Sequence, residues 1–293
     1  MSDQLRTTTR AVLAAAFLAM AALACPVSAS ASQLIGYNAS DVRLEVDGAG
    51  HALVTFTSSG KVQRVFASGA IDARDPSPST PQIEFKLSSS GGAVRNACKP
   101  TRLALAWVVA ACRAADGSYW ALQSWQRQLP NLGAAPNPKQ AAWELRLSHW
   151  SGTLATLEVH FGWSYRRYLQ IFGRYSYRNQ PVYGFKVANG VPLDGYGRNI
   201  YVDAFDSDLG KGWKRVNSFL AHGPIGGFCY GFFPHGGKIG VGRKYRATVI
   251  GPGVTPDVMW QANAPPAYTP AADKGADDAM RSLLAGDKLC RPN

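Results

Sequence analysis

The sequence is poor in acidic residues and lacks the motifs of several common catalytic sites. Asp and Glu number 19 against 31 Lys and Arg, which gives a formal net charge of +12. No H-E-x-x-H motif joins any of the 5 histidines. The nearest match to G-x-S-x-G, "GWSYR", has Arg166 where the nucleophile elbow requires a glycine. These absences exclude the zincin motif and the usual serine-hydrolase turn.

A phosphate-binding loop is also missing, although the stretch "CYGFFPHGGKIGVGRKYR" is rich in glycine. Lys238 follows a glycine there, but Phe232 stands where the first glycine of the motif belongs. Ile239 replaces the required hydroxyl residue. The residues that follow, "IGVGRKYRATVI", have the pattern of a strand rather than of the helix that such a loop opens. Nucleotide binding at this loop is therefore excluded.

The only extended apolar run, "AVLAAAFLAMAALA", is too short to span a membrane, which takes ~20 residues. Arg6 and Arg10 precede it and the small residues "CPVSASAS" follow it, as in a secretory signal peptide. The lipoprotein alternative, through Cys25, has Leu23 one position too close to the cysteine. We predict a signal peptide over 1–31 and no transmembrane segment in the mature chain. The protein is then secreted, or lies on the extracellular face of the cell envelope.

Four cysteines follow the predicted signal, and none of them form a C-x-x-C pair. That spacing argues against a zinc site. An even number of cysteines in an oxidising compartment predicts two disulfides, with three connectivities open. We favour Cys98–Cys112 as a local link and Cys229–Cys290 as a tie for the C-terminal segment.

Alternation of apolar and polar residues indicates that the chain is mostly strands. "VRLEVD", "QIEFKL", "WELRLSHW" and "LEVHF" all alternate, as half-buried antiparallel strands do. "LALAWVVAAC" is apolar throughout, which predicts a central strand covered on both faces. Asp116-Gly117 predicts a hairpin turn, a second turn is expected near 178–181, and "DKGADDAMRSLLAGDKLC" predicts a helix.

The predicted fold class is therefore all-β. We expect a β-sandwich or jelly-roll-like arrangement of antiparallel sheets, with a short C-terminal helix. Residues 32–293 form a single β-rich domain in this interpretation. A division into two β modules near 130–138, where proline and glycine are frequent, is the alternative.

Two acidic residues on predicted strands are candidates for catalysis. Glu144 and Glu158 occupy the polar sides of their strands, near His149 and His160. If the strands pair, these side chains line one face, and a pair of carboxylates is the equipment of a glycoside hydrolase. A lyase would instead use His and Tyr as base and acid. The alternative is cross-strand ion pairing, for instance with Arg146.

The glycine-rich stretch and the strand after it provide candidate ligand-binding residues. Tyr230, Lys238, Arg243, Lys244 and Arg246 combine aromatic and cationic groups. Rings stack on sugar faces and Arg binds carboxylate or phosphate, so the group suits an anionic sugar polymer. The alternative is that the aromatic residues belong to the core and the cations to a solvated rim.

Asp203, Asp206 and Asp208 are clustered before a glycine turn. Carboxylates and backbone carbonyls hold Ca²⁺, which makes this cluster a calcium candidate. Their spacing is not that of an EF-hand, and the alternative is that they shape a turn or pair with neighbouring lysines. No other metal and no cofactor are expected.

The segments "SYWALQSWQRQLPNLG", "WELRLSHWSG" and "GPGVTPDVMW" resemble an uncharacterised family of secreted proteins from GC-rich, actinobacterial bacteria. The resemblance spans most of the mature chain and implies export, but it implies nothing about chemistry.

The expected function is that of a secreted, cell-envelope-associated binding protein. Its positive charge suits an anionic or carbohydrate polymer, such as an anionic polysaccharide or a cell-wall polymer. The cations form no tail or long run, so no specific nucleic-acid partner is expected. A polysaccharide-active glycoside hydrolase or lyase is the second hypothesis, although no catalytic motif is present. A structural or inhibitory secreted protein is the third.

Overall fold

The structure, a computed structural model, describes residues 32–77, 79–131, 133–138, 140–184, 186–188, 191–193, 199–234 and 241–292. The predicted signal peptide lies outside the described residues. Within them the elements, in chain order, are β1 Gln33–Tyr37, β2 Ser40–Val46, β3 Ala52–Ser58, β4 Lys61–Ser68, β5 Lys86–Ser88, β6 Lys99–Pro100, β7 Val108–Arg113, β8 Tyr119–Trp125, β9 Glu144–Trp150, β10 Thr156–Ser164, β11 Tyr168–Tyr177, β12 Gln180–Pro181, β13 Lys186–Ala188, β14 Val191–Leu193, β15 Ile200–Ser207, β16 Gly210–Phe219, β17 Gly227–Pro234, β18 Lys244–Val249, β19 Val258–Asn263 and α1 Pro270–Leu283. Antiparallel sheets dominate, so the predicted all-β fold with a short C-terminal helix is confirmed.

The strands form four larger sheets and one small hairpin. Sheet A has the order β1-β9-β8-β7-β6, and sheet B has the order β2-β3-β4-β5. Sheet C has the order β16-β15-β18-β19, and in sheet D β11 pairs with β10, β12 and β17. β13 and β14 pair only with each other among the described strands. The chain passes from sheets A and B to sheets C and D at residues 151–155.

Sheets A and B enclose one apolar core. Trp120, Leu122 and Leu147 of sheet A pack in the same cluster as Val54 and Phe56 of sheet B. The strand period of two places these residues on one side of each sheet. Each such side chain stabilises the fold by about 1.5–3 kcal/mol when it is fully buried.

Sheets C and D enclose a second core, which also receives a residue from sheet A. Ile171 and Phe228 of sheet D lie in one cluster with Val202 and Val249 of sheet C. Trp125, at the end of β8, belongs to that same cluster. The two cores are therefore joined through a strand of sheet A.

Both hairpin turns predicted from the sequence are present. Gly117 has a φ of 87° between β7 and β8, in the left-handed region that glycine tolerates. Arg178 and Asn179 turn the chain from β11 to β12 with φ values of 51° and 63°. In β12, Pro181 pairs with Ser176 of β11.

Two strand predictions were wrong in part. "LALAWVVAAC" does not form a central strand: β7 begins only at Val108, after Trp107 with a φ of 57°, and Val109 is 46% exposed. Val109 and Arg113 are exposed, so this strand is only partly covered; β8 and β9, whose residues are almost all buried, are the central strands. "QIEFKL" contributes to a strand only from Lys86 onward.

Both favoured disulfides are confirmed. Cys98 and Cys112 have Cα atoms 5.6 Å apart, and those of Cys229 and Cys290 are 5.7 Å apart. The first closes a loop between β6 and β7. In the chain-entropy model a loop of about 15 residues gives ~3 kcal/mol of stabilisation. The second ties the segment after α1 to β17.

The helix begins with a regular N-cap. The Thr269 side chain accepts a hydrogen bond from the Ala272 N–H at 3.1 Å, and Pro270 occupies the first turn. Met280 and Leu284 pack on Phe172 of β11. The helix thereby covers part of the outer face of sheet D. In the described part of the chain, no helix has the length and apolar character needed to cross a membrane.

Candidate functional site

The predicted catalytic residues do not share a face. Glu144 and His149 lie on β9 in sheet A, whereas Glu158 and His160 lie on β10 in sheet D, and the two strands do not pair. The expectation of one face bearing all four side chains was therefore wrong. The side chains are separated because the chain passes from sheet A to sheet D between β9 and β10.

Glu144 is buried and neutralised by its neighbour. Its Oε2 accepts a hydrogen bond from Arg146 Nε at 2.8 Å, and both side chains are almost completely enclosed. The prediction placed them on a polar, solvated face, but the strand is central and both its faces are covered. Trp143, which the alternation of "WELRLSHW" places on the apolar side of the strand, is 47% exposed. Arg146 is the ion-pair partner named in the alternative, but the pair lies within β9 and does not link two strands.

His149 is also enclosed. Its Nδ1 lies 2.6 Å from the carbonyl of Ala70, and its Nε2 lies 2.9 Å from Ser118 Oγ. The ring stacks on Trp120 with 3.7 Å between ring centres. Burial lowers the pKa of the imidazole, although hydrogen bonding to Ala70 and the charge of Asp116 oppose this effect. A ligand outside the protein does not reach this ring.

Glu158 and His160 remain accessible on β10. Glu158 Oε1 lies 3.3 Å from His160 Nε2, and both side chains are exposed. This pair lies on a surface, but the second carboxylate of the predicted glycosidase pair is absent from it, since Glu144 is buried in sheet A.

The predicted ligand-binding residues are scattered. Tyr230 is half-buried in the core of sheets C and D, and burial raises the pKa of its hydroxyl. Arg243 and Lys244 are exposed, and Arg243 pairs with Asp206. Arg246 is buried, so these residues do not form one surface. Lys238 lies outside the described residues.

Arg246 is buried because it neutralises Asp203. Its Nε donates to Asp203 Oδ2 at 2.7 Å, and Arg215 binds the other carboxylate oxygen. The Arg246 guanidinium lies 4.3 Å from the centre of the Trp213 ring, in cation–π contact. A carboxylate and an aromatic ring inside the protein thus engage Arg246, which is not presented to a ligand at the surface.

The three aspartates proposed for calcium diverge. Asp203 is enclosed between two arginines, and Asp208 is exposed. Asp206 accepts the Gly212 N–H at 2.8 Å and pairs with Arg243; these interactions lower the pKa of its carboxyl. The three carboxylates therefore do not meet at one point, and the alternative of turn formation and ion pairing describes them better.

His222, Cys229 and Cys290 place one nitrogen and two sulfur atoms, all elements that bind metals, within 4.8 Å of one another. The two sulfurs are bonded to each other, so neither is the thiolate that binds a metal. His222 Nδ1 instead lies 2.7 Å from Asp287 Oδ2. The cluster fastens the C-terminal segment to sheet D.

An open depression lies at the turn between β10 and β11. The turn, "SYRR", places Tyr165 and Arg166 at its centre, with φ values of 57° and 61°. Such a turn normally carries Asn-Gly, because other residues are strained at positive φ. Here two buried aspartates of α1 hold it: Asp277 accepts the Tyr165 N–H and Asp273 accepts the Arg166 N–H, each at 2.9 Å.

The depression has a volume of about 710 Å³ and carries a one-sided charge. Its described lining consists of Tyr165, Arg166, Arg167, Tyr168, Gln170 and Gly231. Both arginines are exposed, and no acidic side chain is present in that lining. Arg167 Nη2 donates to the Tyr168 hydroxyl at 2.8 Å, with its guanidinium 4.9 Å from the ring centre. Two cations and two aromatic rings therefore share one surface, which we call the Tyr/Arg turn.

Gly231 of β17 lets the amide of Gln170 enter the depression. The two residues are cross-strand partners, and a Cβ at position 231 would lie 2.6 Å from Gln170 Nε2. A larger residue would displace that amide, which adds a neutral donor and acceptor beside the cations.

The sequence interpretation missed the Tyr/Arg turn, since it considered this stretch only as a failed nucleophile elbow. One signal was available: paired arginines between two tyrosines, at a turn without glycine, joining two alternating segments. No protein-family model, curated protein or solved structure matches the chain. The resemblance to secreted actinobacterial proteins stays a prediction.

Proposed function

We propose that the protein is an exported binding protein for an acidic polysaccharide and that the Tyr/Arg turn is its binding site. One observation carries the proposal: exposed Arg166 and Arg167 stand beside Tyr165 and Tyr168 around a depression whose described lining has no acidic side chain. Guanidinium groups bind carboxylates and sulfates through paired hydrogen bonds, and aromatic rings pack on sugar faces. An acidic sugar carries both features.

The rigidity of the turn supports a binding role. Strained backbone positions persist only where the surrounding structure enforces them, and they are frequent at functional sites. Asp273 and Asp277 enforce this one without lining the depression. The arginines are therefore presented from a fixed backbone, which lowers the entropy lost on binding.

A polymer fits this site better than a small anion does. The depression is open, so it does not enclose a small molecule. An extended chain can cross it and contact further cations on a protein whose net charge is +12. Such an interaction weakens when salt is added.

Export is the second part of the proposal. It rests on the N-terminal apolar run with its small-residue flank. The two disulfides are consistent with it, since such bonds persist in oxidising compartments. The observations do not favour a hydrolase or lyase, because Glu144 and His149 are buried in sheet A, away from Glu158 and His160 in sheet D.

Binding of polygalacturonate to the purified protein, followed by calorimetry at low and high salt, tests the site. We expect binding at low salt, and we expect R166Q/R167Q to weaken it at least about tenfold, since hydrogen bonds to charged groups contribute ~1.5–3 kcal/mol each. The matched control is R43Q/R64Q, which removes two exposed arginines from sheet B. Absence of binding by the unaltered protein, or equal losses in both double variants, would refute the proposed site.

A further inference from the structure

A second cavity lies at the opposite end of the β10–β11 hairpin from the Tyr/Arg turn. Its volume is about 320 Å³. Two cross-strand pairs form its floor, Glu158 with Arg174 and Thr156 with Ser176. Ile225 belongs to its wall, together with prolines at 181 and 224. The cavity thus combines two opposite charges, two hydroxyls and an apolar side.

Arg174 lacks partners in this cavity. It is half-buried, and its Nε is shielded from solvent without a hydrogen-bond partner. Among the described residues its guanidinium forms no ion pair, although Glu158 is its direct cross-strand neighbour. A shielded, unsatisfied donor on a charged group costs free energy. Arg174 also lines the cavity and is half-exposed, so a ligand there can hydrogen-bond to the part of the guanidinium that remains accessible.

Glu158 makes only a weak ion pair outside the cavity. Its carboxylate contacts His160 at 3.3 Å, at an exposed position where such a pair contributes little. Residues opposite each other on paired strands have Cβ atoms ~4.5–5.5 Å apart. Glu158 and Arg174 therefore project from the same face of the hairpin at the cavity, and among the described residues no ion pair joins them.

This charge arrangement selects among ligands. A simple anion is attracted by Arg174 but repelled by Glu158. A simple cation is attracted by Glu158 but repelled by Arg174. A molecule with a carboxylate and an ammonium on one carbon satisfies both groups at once. The hydroxyls of Thr156 and Ser176 supply further donors and acceptors, and Ile225 offers a surface for an apolar substituent.

We propose that this cavity binds a small zwitterion of the α-amino-acid type. The carboxylate of the ligand binds the Arg174 guanidinium, and its ammonium binds the Glu158 carboxylate. An aliphatic side chain of the ligand packs against Ile225. The site is separate from the Tyr/Arg turn, so it does not depend on polysaccharide binding.

Titration of the ¹⁵N-labelled protein with L-leucine, followed by amide chemical shifts, tests this proposal. We expect saturable shifts at the amides of residues 156–158 and 174–176. Acetate and methylammonium, which each carry one of the two charges, should bind at least about tenfold more weakly, because each loses a charge-assisted contact of ~1.5–3 kcal/mol. Acetate binding as tight as leucine binding would overturn the assignment, as would the absence of saturable shifts.

Variants locate the site. R174Q and E158Q should each weaken leucine binding at least about tenfold, and E158Q retains a side chain of the same size. R167Q, which removes an arginine from the Tyr/Arg turn, is the matched control and should leave leucine binding unchanged. E158Q changes an exposed residue and should fold normally, so unaltered leucine binding by E158Q would refute the proposed ammonium contact.

Discussion

The carboxylate of Asp257 accepts a hydrogen bond from the indole N–H of Trp125 at 3.0 Å, across 132 positions of sequence. Its other oxygen accepts from Ser32 Oγ at 2.8 Å and from the Gly251 N–H at 3.2 Å. The Asp257 backbone also exchanges two hydrogen bonds with the Gln123 side chain. Burial raises the pKa of this carboxyl, although neighbouring arginines lower it. One enclosed carboxyl thus joins β8 of sheet A to the start of β19 in sheet C.

Removal of this carboxyl should strongly destabilise the protein. We expect Asp257→Ala to lower the free energy of unfolding by about 3–5 kcal/mol, because several buried donors lose their acceptor and nearby arginines lose a counter-charge. Denaturant unfolding measures the change. Asp208→Ala, at an exposed aspartate, is the control and should stay within about 0.5 kcal/mol. A loss below ~1 kcal/mol in D257A would show that the joint contributes little.

The fold class was predictable because it depends on local patterns. Short stretches such as "VRLEVD" and "LEVHF" show the alternation of strands, and the Asp116-Gly117 pair marks a turn. An even number of cysteines predicts disulfides without any knowledge of the fold. β9 shows the limit of this reasoning. Polar and apolar residues alternate with a period of two in a strand that has one solvated face. They alternate in the same way in a central strand whose polar residues form buried pairs. Glu144 and Arg146 are distinguished from surface residues only by what covers them.

The candidate site was less predictable because its parts are distant in sequence. A Tyr-Arg pair is a poor hairpin turn on its own, and the aspartates that hold it lie more than 100 residues further along the chain. Similarly, Asp203 resembled a calcium ligand because Asp206 and Asp208 are near in sequence. Its true partners come from β16 and β18. Long-range packing decides both cases: α1 packs against the turn in the first, and β16 and β18 pair with β15 in the second.

His149 should make stability depend on pH. Burial holds the pKa of this imidazole below its ordinary 6.5, so between the two values the unfolded chain binds more protons than the native protein. Stability from this residue is therefore complete above pH 6.5 and falls as the pH drops through that window. We expect the pH dependence of the unfolding free energy in the window below pH 6.5 to become shallower in His149→Gln.

A control separates this titration from lost packing. Trp120→Phe weakens the stack on His149 but keeps the imidazole. That variant should be less stable at every pH and retain the slope of the unaltered protein. An H149Q slope equal to that of the unaltered protein would contradict the assignment.

The Tyr/Arg turn should depend on the helix that supports it. Asp277→Ala removes the acceptor of the Tyr165 N–H, and we expect a loss of about 1–3 kcal/mol in stability. Polygalacturonate binding should also weaken, although Asp277 is not among the residues that line the depression. Adding Tyr165→Gly to D277A should recover part of the stability, because glycine adopts a positive φ without strain. No recovery in the double variant would mean that the strained turn is not what Asp277 supports.

Asp203 should behave as a buried counter-ion and not as a calcium ligand. Asp203→Asn leaves Arg215 and Arg246 facing each other in an enclosed site, so we expect the free energy of unfolding to fall by about 3–5 kcal/mol. Asp208→Asn, five positions along the same segment and exposed, should have little effect. Millimolar calcium should leave the melting temperature of the unaltered protein unchanged, because both Asp203 oxygens already bind arginine. A calcium-dependent rise in melting temperature that disappears in D203N would restore the metal-site hypothesis and contradict the buried-pair assignment.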